Sequence, residues 1–226
     1  MRTLTPDLLL CAYASGLFPM ANDRDDPTIH WIDPRRRGII PLDRLHVPRS
    51  LQKVIHRKTF EVRTDTAFDA VIRSCAEIRA DRPRTWLNDE LIDLYCELYS
   101  RRYAHSVECW IGDRLAGGVY GISLGGAFFG ESMFSRERDA SKVALVALVD
   151  RLNDGGYQLL DTQFITDHLR QFGAVEISRD AYHRRLRRAL KVVAVFHSDG
   201  GAVPSGTPWL PNCGSVGSSQ STSQTS

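Results

Sequence analysis

Three extended runs joined by two tight glycine turns constrain this 226-residue chain more than any other feature. Residues 106–111 alternate Val107, Cys109 and Ile111 with polar partners, the period of a half-buried strand. Gly112-Asp113 turns the chain into a second strand over 115–122, and Gly125-Gly126 turns it into a third over 127–133. Such a meander needs helices to cover it, and the flanks read as helices. Phe68, Val71 and Ile72 share one face of 66–76, and Leu91, Leu94, Tyr95 and Leu98 form a stripe along 88–101. A helix over 140–153 stops at Gly155-Gly156. Strand 157–161, helix 167–172, strand 175–177 and helix 179–190 follow.

Before residue 64 the pattern is more broken. A helix capped by Thr5 with Pro6 in its first turn ends at Leu17-Phe18-Pro19. Trp31 to Pro34 reads as a strand entering a turn, then helix 50–57 and strand 59–63 follow. From Ser198 onward there is no Lys or Arg, Asp199 is the only acid, and Gly, Ser, Pro, Thr and Gln dominate. Such a segment cannot bury enough apolar surface to offset its ordering entropy. The expected fold is α+β: a small N-terminal α/β domain over 1–64, a domain with a mixed central sheet over 65–197, and a disordered tail over 198–226 holding Trp209.

Composition excludes several classes. With 42% hydrophobic and 25% charged residues the chain is globular. Its five cysteines form no CxxC pair, which suits reduced thiols and argues against a zinc site. No apolar run nears the ~18 residues of a membrane span. The run Leu8 to Ala14 is short and preceded by Asp7, so it reads as a buried helix and not as a secretory signal. A cytoplasmic monomer is expected.

The net charge of +2 hides a pattern. Residues 35–58 hold eight Lys or Arg against Asp43 alone. Arg49, Lys53 and Arg57 recur every four residues, with Lys58 beside them and Leu51, Val54 and Ile55 on the other side. A one-sided basic stripe suits phosphate contacts with an RNA stem. A second run, Arg184-Arg185-Leu186-Arg187-Arg188, either extends that surface or solvates a terminal helix.

Three polar side chains stand out in the second half. Asp161 and Gln163 end one strand with a spacing of two, which points both to one face. The plain alternative is a polar strand end that caps a turn. Glu131 interrupts the apolar run Phe128 to Phe134. A buried carboxylate is paired or functional, and Arg136 or Lys142 would be its structural partner. His105, with no Ser or Cys nucleophile motif near it, reads as a hydrogen-bonded structural group.

Several motifs occur in order along the chain. They are Gly16-Leu17-Phe18-Pro19, His46-Val47-Pro48-Arg49-Ser50, Thr85-Trp86, Ala104-His105-Ser106-Val107-Glu108, Gly117-Gly118-Val119-Tyr120-Gly121, Gly130-Glu131-Ser132-Met133-Phe134-Ser135, Ala140-Ser141-Lys142 and Leu160-Asp161-Thr162-Gln163. Together they closely resemble the bacterial leucyl/phenylalanyl-tRNA–protein transferases over roughly residues 5–190. The order of elements likewise resembles a GNAT-type acyltransferase core. The resemblance implies transfer of Leu or Phe from Leu-tRNA or Phe-tRNA to the α-amine of proteins that begin with Arg or Lys, marking them for degradation. It implies no CoA, nucleotide or metal. The junction Ser135 to Lys142 contains no glycine, unlike the phosphate-cradling turns that bind CoA.

The resemblance also assigns residues. Gln163 and Asp161 match catalytic positions, and Glu131 with Asp161 would receive the acceptor's cation. Trp86, Val119 and Phe128 match the aminoacyl pocket, as do Leu148 and Leu152, where other members carry Phe. Trp31 corresponds to a Trp that holds the terminal adenosine, and Met20 replaces a usual Trp. Arg49, Lys53, Arg57 and Lys58 would hold tRNA. Two other readings are a Fem-type peptidyltransferase, for whose second domain and helical arm the chain lacks room, and a non-catalytic RNA-binding module.

Overall fold

A computed structural model describes residues 4–78, 84–198 and 201–204. Local signals start the helices where the sequence places them. Thr5 accepts a hydrogen bond from the Leu8 N–H ahead of α1 (Pro6–Ala14). A separate hairpin, β1 (Phe18–Ala21) and β2 (Ile29–Ile32), precedes β3 (Arg36–Ile40), α2 (Arg49–His56) and β4 (Glu61–Thr64). Helices α3 (Phe68–Ala76) and α4 (Asp89–Ser100) follow, the latter capped by the Asn88 side chain. The meander is β5 (Ala104–Ile111), β6 (Arg114–Leu124) and β7 (Ala127–Ser135). Next come α5 (Ala140–Asp154), β8 (Leu159–Gln163), α6 (Asp167–Arg170), β9 (Val175–Ser178), α7 (Arg179–Ala189), β10 (Val195–Ser198) and β11 (Gly201–Pro204).

Seven strands form the central sheet in the order β4-β5-β6-β7-β8-β3-β9. All neighbours are antiparallel except β7 and β8. The mixed sheet and the succession of elements after β4 are those expected. Strand β3 is not among the expected elements, and it inserts between β8 and β9. Three consecutive arginines mask it, and its Arg37 points inward. Because β3 and β4 share a sheet with the later strands, that sheet runs across the residue-64 division. At the other end, β10 and β11 pair antiparallel, which carries ordered backbone to Pro204. Trp209 and the rest of the expected tail lie outside the described residues.

Two apolar layers flank the sheet. One is built from α1, α3, α4 and α7 with Tyr120, Ile122 and Phe129 of the sheet. The other joins α5 and Leu51 of α2 to Val107, Val119, Phe128 and Leu160. Neighbours Phe128 and Phe129 thus face opposite layers, as strand alternation requires.

Two irregularities break the regular pleat. The β6–β7 register shifts between Tyr120 and Gly121, which leaves Glu131 as the extra residue on β7. Gly121 is required there, since a Cβ would lie 2.2 Å from the Phe129 carbonyl oxygen. The β3–β8 register shifts between Gly38 and Ile39, leaving Thr162 extra on β8. Bulges of this kind re-aim the side chains beside them.

Candidate active site

The two bulges converge. Pairing between β7 and β8 ends at Phe129 and Asp161. Just beyond, the Gln163 Nε2 donates to Glu131 Oε1 at 3.0 Å, bridging the two parallel strands. Gln163 itself has a left-handed φ of +55°, an uncommon state for a residue with a Cβ. Its backbone N–H donates to Asp161 Oδ1 at 2.8 Å.

Glu131 is held from both sides. The Tyr95 hydroxyl donates to its Oε2 at 3.1 Å, and Tyr13 and Tyr95 share a hydroxyl contact of 2.7 Å. Neither expected structural partner reaches it: Arg136 pairs with Glu77 and Lys142 with Asp139. Burial raises the Glu131 carboxyl, and the nearby Asp161 charge raises it further. The phenols of Tyr13 and Tyr95 and the Arg37 guanidinium oppose this, leaving it at about 8. Both phenols are themselves pushed well above their ordinary range, chiefly by burial, so they remain donors.

Asp161 is wholly buried and fully committed. Arg37 grips it with Nε at 2.9 and 3.1 Å and Nη2 at 2.6 Å, and the Tyr182 hydroxyl adds a bond of 2.7 Å. Asp161 is expected to share in receiving an acceptor cation, and in the fold its charge is met by Arg37. Gln163 meets the two carboxyl groups in different ways. The amide side chain bonds Glu131, and only the backbone N–H bonds Asp161.

The six expected pocket residues do not form one lining. Trp31 and Trp86 are half-buried against the α1/α3/α4 layer. Val119, Phe128, Leu148 and Leu152 are at most 3% exposed and belong to the α5 layer. A cavity of about 270 Å³ opens elsewhere, between Ile39–Asp43, Asn153, Tyr157–Leu160 and Arg185. On α2, Arg49, Lys53, Arg57 and Lys58 are all exposed, with no ion pair to any of them among the described residues, while Leu51, Val54 and Ile55 turn to the core. His105 has the structural setting expected, with Nδ1 2.7 Å from Asp65 and its ring stacked on Phe196.

Family models decide the kinship. The model described as leucyl/phenylalanyl-tRNA protein transferase matches residues 39–187, and that of its N-terminal domain matches residues 2–35. The chain belongs to this family. It is an aminoacyltransferase. A protein named leucyl/phenylalanyl-tRNA–protein transferase from Paramagnetospirillum magneticum is 59% identical over 196 residues, covering 87% of this chain and 94% of that protein. Its namesake from Caulobacter vibrioides is 57% identical over 193 residues, covering 85% and 89%. Among solved structures, the C-terminal domain of a putative lysylphosphatidylglycerol synthetase from Agrobacterium fabrum aligns at a TM-score of 0.40 and 12% identity, covering 81% of this chain and 62% of that one.

Sequence reasoning missed four members of the candidate site: Tyr13, Tyr95, Tyr182 and Arg37. The tyrosines looked like core positions. A buried tyrosine hydroxyl nonetheless needs a partner, and that demand was a usable signal. Arg37 gave none, because Arg35 and Arg36 beside it are exposed cations of the ordinary kind.

Proposed function

We propose that this transferase, a cytoplasmic monomer, moves Leu or Phe from Leu-tRNA or Phe-tRNA to the α-amine of proteins beginning with Arg or Lys, marking them for degradation. The observation that carries this reading is the Gln163–Glu131 bridge at the parting of β7 and β8. With Nε2 committed to Glu131, the Gln163 carbonyl oxygen is left to accept a hydrogen bond from an incoming amine. An α-ammonium titrates near pH 8, close to Glu131 at about 8. The two can therefore exchange a proton with little driving force either way. Attack by the free amine forms the C–N bond, breaks the ester C–O bond, and releases the terminal ribose hydroxyl with a proton.

Once it has given up its proton, Glu131 is also the carboxylate available to a cationic acceptor, since Asp161 is matched by Arg37. Trp31 and Trp86 are the half-exposed members of the aromatic set. A base stacked on one of them contributes about 1–3 kcal/mol. The exposed face of α2 would hold the acceptor stem of the tRNA through Arg49, Lys53, Arg57 and Lys58.

The test is incubation with radiolabelled Leu-tRNA or Phe-tRNA and an Arg-initial protein, with and without RNase. RNase-sensitive label on the protein is expected. Gln163→Ala should lose transfer while still binding aminoacyl-tRNA, and near-normal transfer by that variant refutes the assignment.

A further inference from the structure

Among the described residues Arg37 is the bulkiest wholly buried polar side chain, at 0% exposure. Besides its grip on Asp161, its Nη1 donates to the Gly16 carbonyl at 3.0 Å. Its guanidinium lies 4.6 Å from the Phe18 ring centroid and 4.4 Å from that of Tyr182. Gly16 and Phe18 lie within residues 2–35 and Asp161 and Tyr182 within 39–187, so Arg37 joins the two family regions from the short gap between them.

The bonds run in one direction toward the reacting centre. Arg37 fixes the Asp161 carboxylate. Asp161 Oδ1 receives the Gln163 N–H, which helps hold Gln163 in a backbone state that residues with a Cβ rarely adopt. That state aims the amide at Glu131. We infer that Arg37 is a positioning residue for the transfer reaction: through Asp161 it sets the backbone turn that presents the Gln163 amide. It touches no substrate. The inference rests on the proposed role of Gln163.

Lysine keeps the charge but lacks the planar fork that meets Asp161 at both oxygens and Gly16 at once. Arg37→Lys in the full chain should therefore melt as a folded protein, with kcat for Leu transfer to an Arg-initial peptide at least tenfold lower. KM for Leu-tRNA and for the peptide should stay within about threefold, because neither substrate meets Arg37. A purely structural role would lower the folded fraction and leave kcat per folded molecule unchanged. Should the lysine variant fail to fold, the double variant Arg37→Met/Asp161→Asn removes both charges together, a change that buried pairs often tolerate. The same tenfold loss of kcat is expected. Wild-type kcat in whichever variant folds overturns the inference. Wild-type enzyme that transfers nothing from Leu-tRNA or Phe-tRNA overturns the proposed function instead, so the two failures read differently.

Discussion

Arg37 and the α2 stripe belong to one basic stretch of sequence, yet they use their charge in opposite ways. Arg37 is wholly buried, bonded on three sides and sandwiched between two rings. Arg49, Lys53, Arg57 and Lys58 are exposed and have no ion pair among the described residues, although most other arginines described are paired. A cation with its counter-ion built in organises the protein. A cation face without counter-ions leaves its field directed at the solvent, where it can attract a polyanion. Charge totals along a sequence do not distinguish the two.

The contrast is broken most forcefully from the buried side. Arg37→Met leaves Asp161 buried and unpaired, and should lower unfolding free energy by about 3–5 kcal/mol. Adding Asp161→Asn should restore most of that. Lys53→Met, on the exposed face, should change stability by no more than about 0.5 kcal/mol. Urea unfolding of the three variants checks this, and equal losses for Arg37 and Lys53 would erase the distinction.

Glu131 supplies the next largest effect. Its folded-state pKa, about 8, lies above the ordinary 4.5. The folded state thus holds a proton that the unfolded state gives up, so the stabilisation present below pH 4.5 is lost as pH rises through 8. The loss amounts to about 5 kcal/mol at most for a shift of this size. Glu131→Gln should flatten the fall in stability between those limits. Glu108, raised to about 7 by burial against the hydroxyls of Ser106 and Thr66, should leave a smaller residual slope. Reversing charges on α2 should leave the slope as it was.

On the exposed side, Lys53→Glu with Arg57→Glu should raise KM for charged tRNA by about tenfold or more at moderate salt. The slope of log affinity against log salt should shrink by about 0.7–0.9 for each phosphate no longer neutralised. Titration of Leu-tRNA binding at several salt concentrations measures both, and an unchanged slope removes α2 from the RNA surface.

Most of the frame was legible in the sequence because local rules wrote it. The caps at Thr5 and Asn88, the turn glycines and the apolar periods of α3, α4 and α5 each act within a few residues. The site was legible only as a set of residue types. Gln163, Asp161 and Glu131 do meet, but two bulges decide which bonds which, and a bulge depends on a neighbouring strand that the local sequence does not see. Strand β3 was hidden for the same reason. Its arginines read as surface until β8 brings a carboxylate to Arg37.

The smallest predicted effect probes that cluster from its helical side. Tyr95 reaches Glu131 from α4, and its hydrogen bond lowers the carboxyl against the rise imposed by burial. Tyr95→Phe keeps the ring packed on Tyr120 and removes two bonds, to Glu131 and to Tyr13, each worth about 0.5–1.5 kcal/mol. Glu131 should then titrate higher than about 8, so the acid limb of kcat/KM for transfer should move to higher pH while the melting temperature falls only a few degrees. The Tyr13 hydroxyl, deprived of its own partner, still lies close enough to Glu131 to oppose burial, which keeps the shift well short of that from losing both phenols. A pH profile that stays in place would mean that the limb reports the acceptor amine, and that Glu131 acts by receiving charge without exchanging the proton.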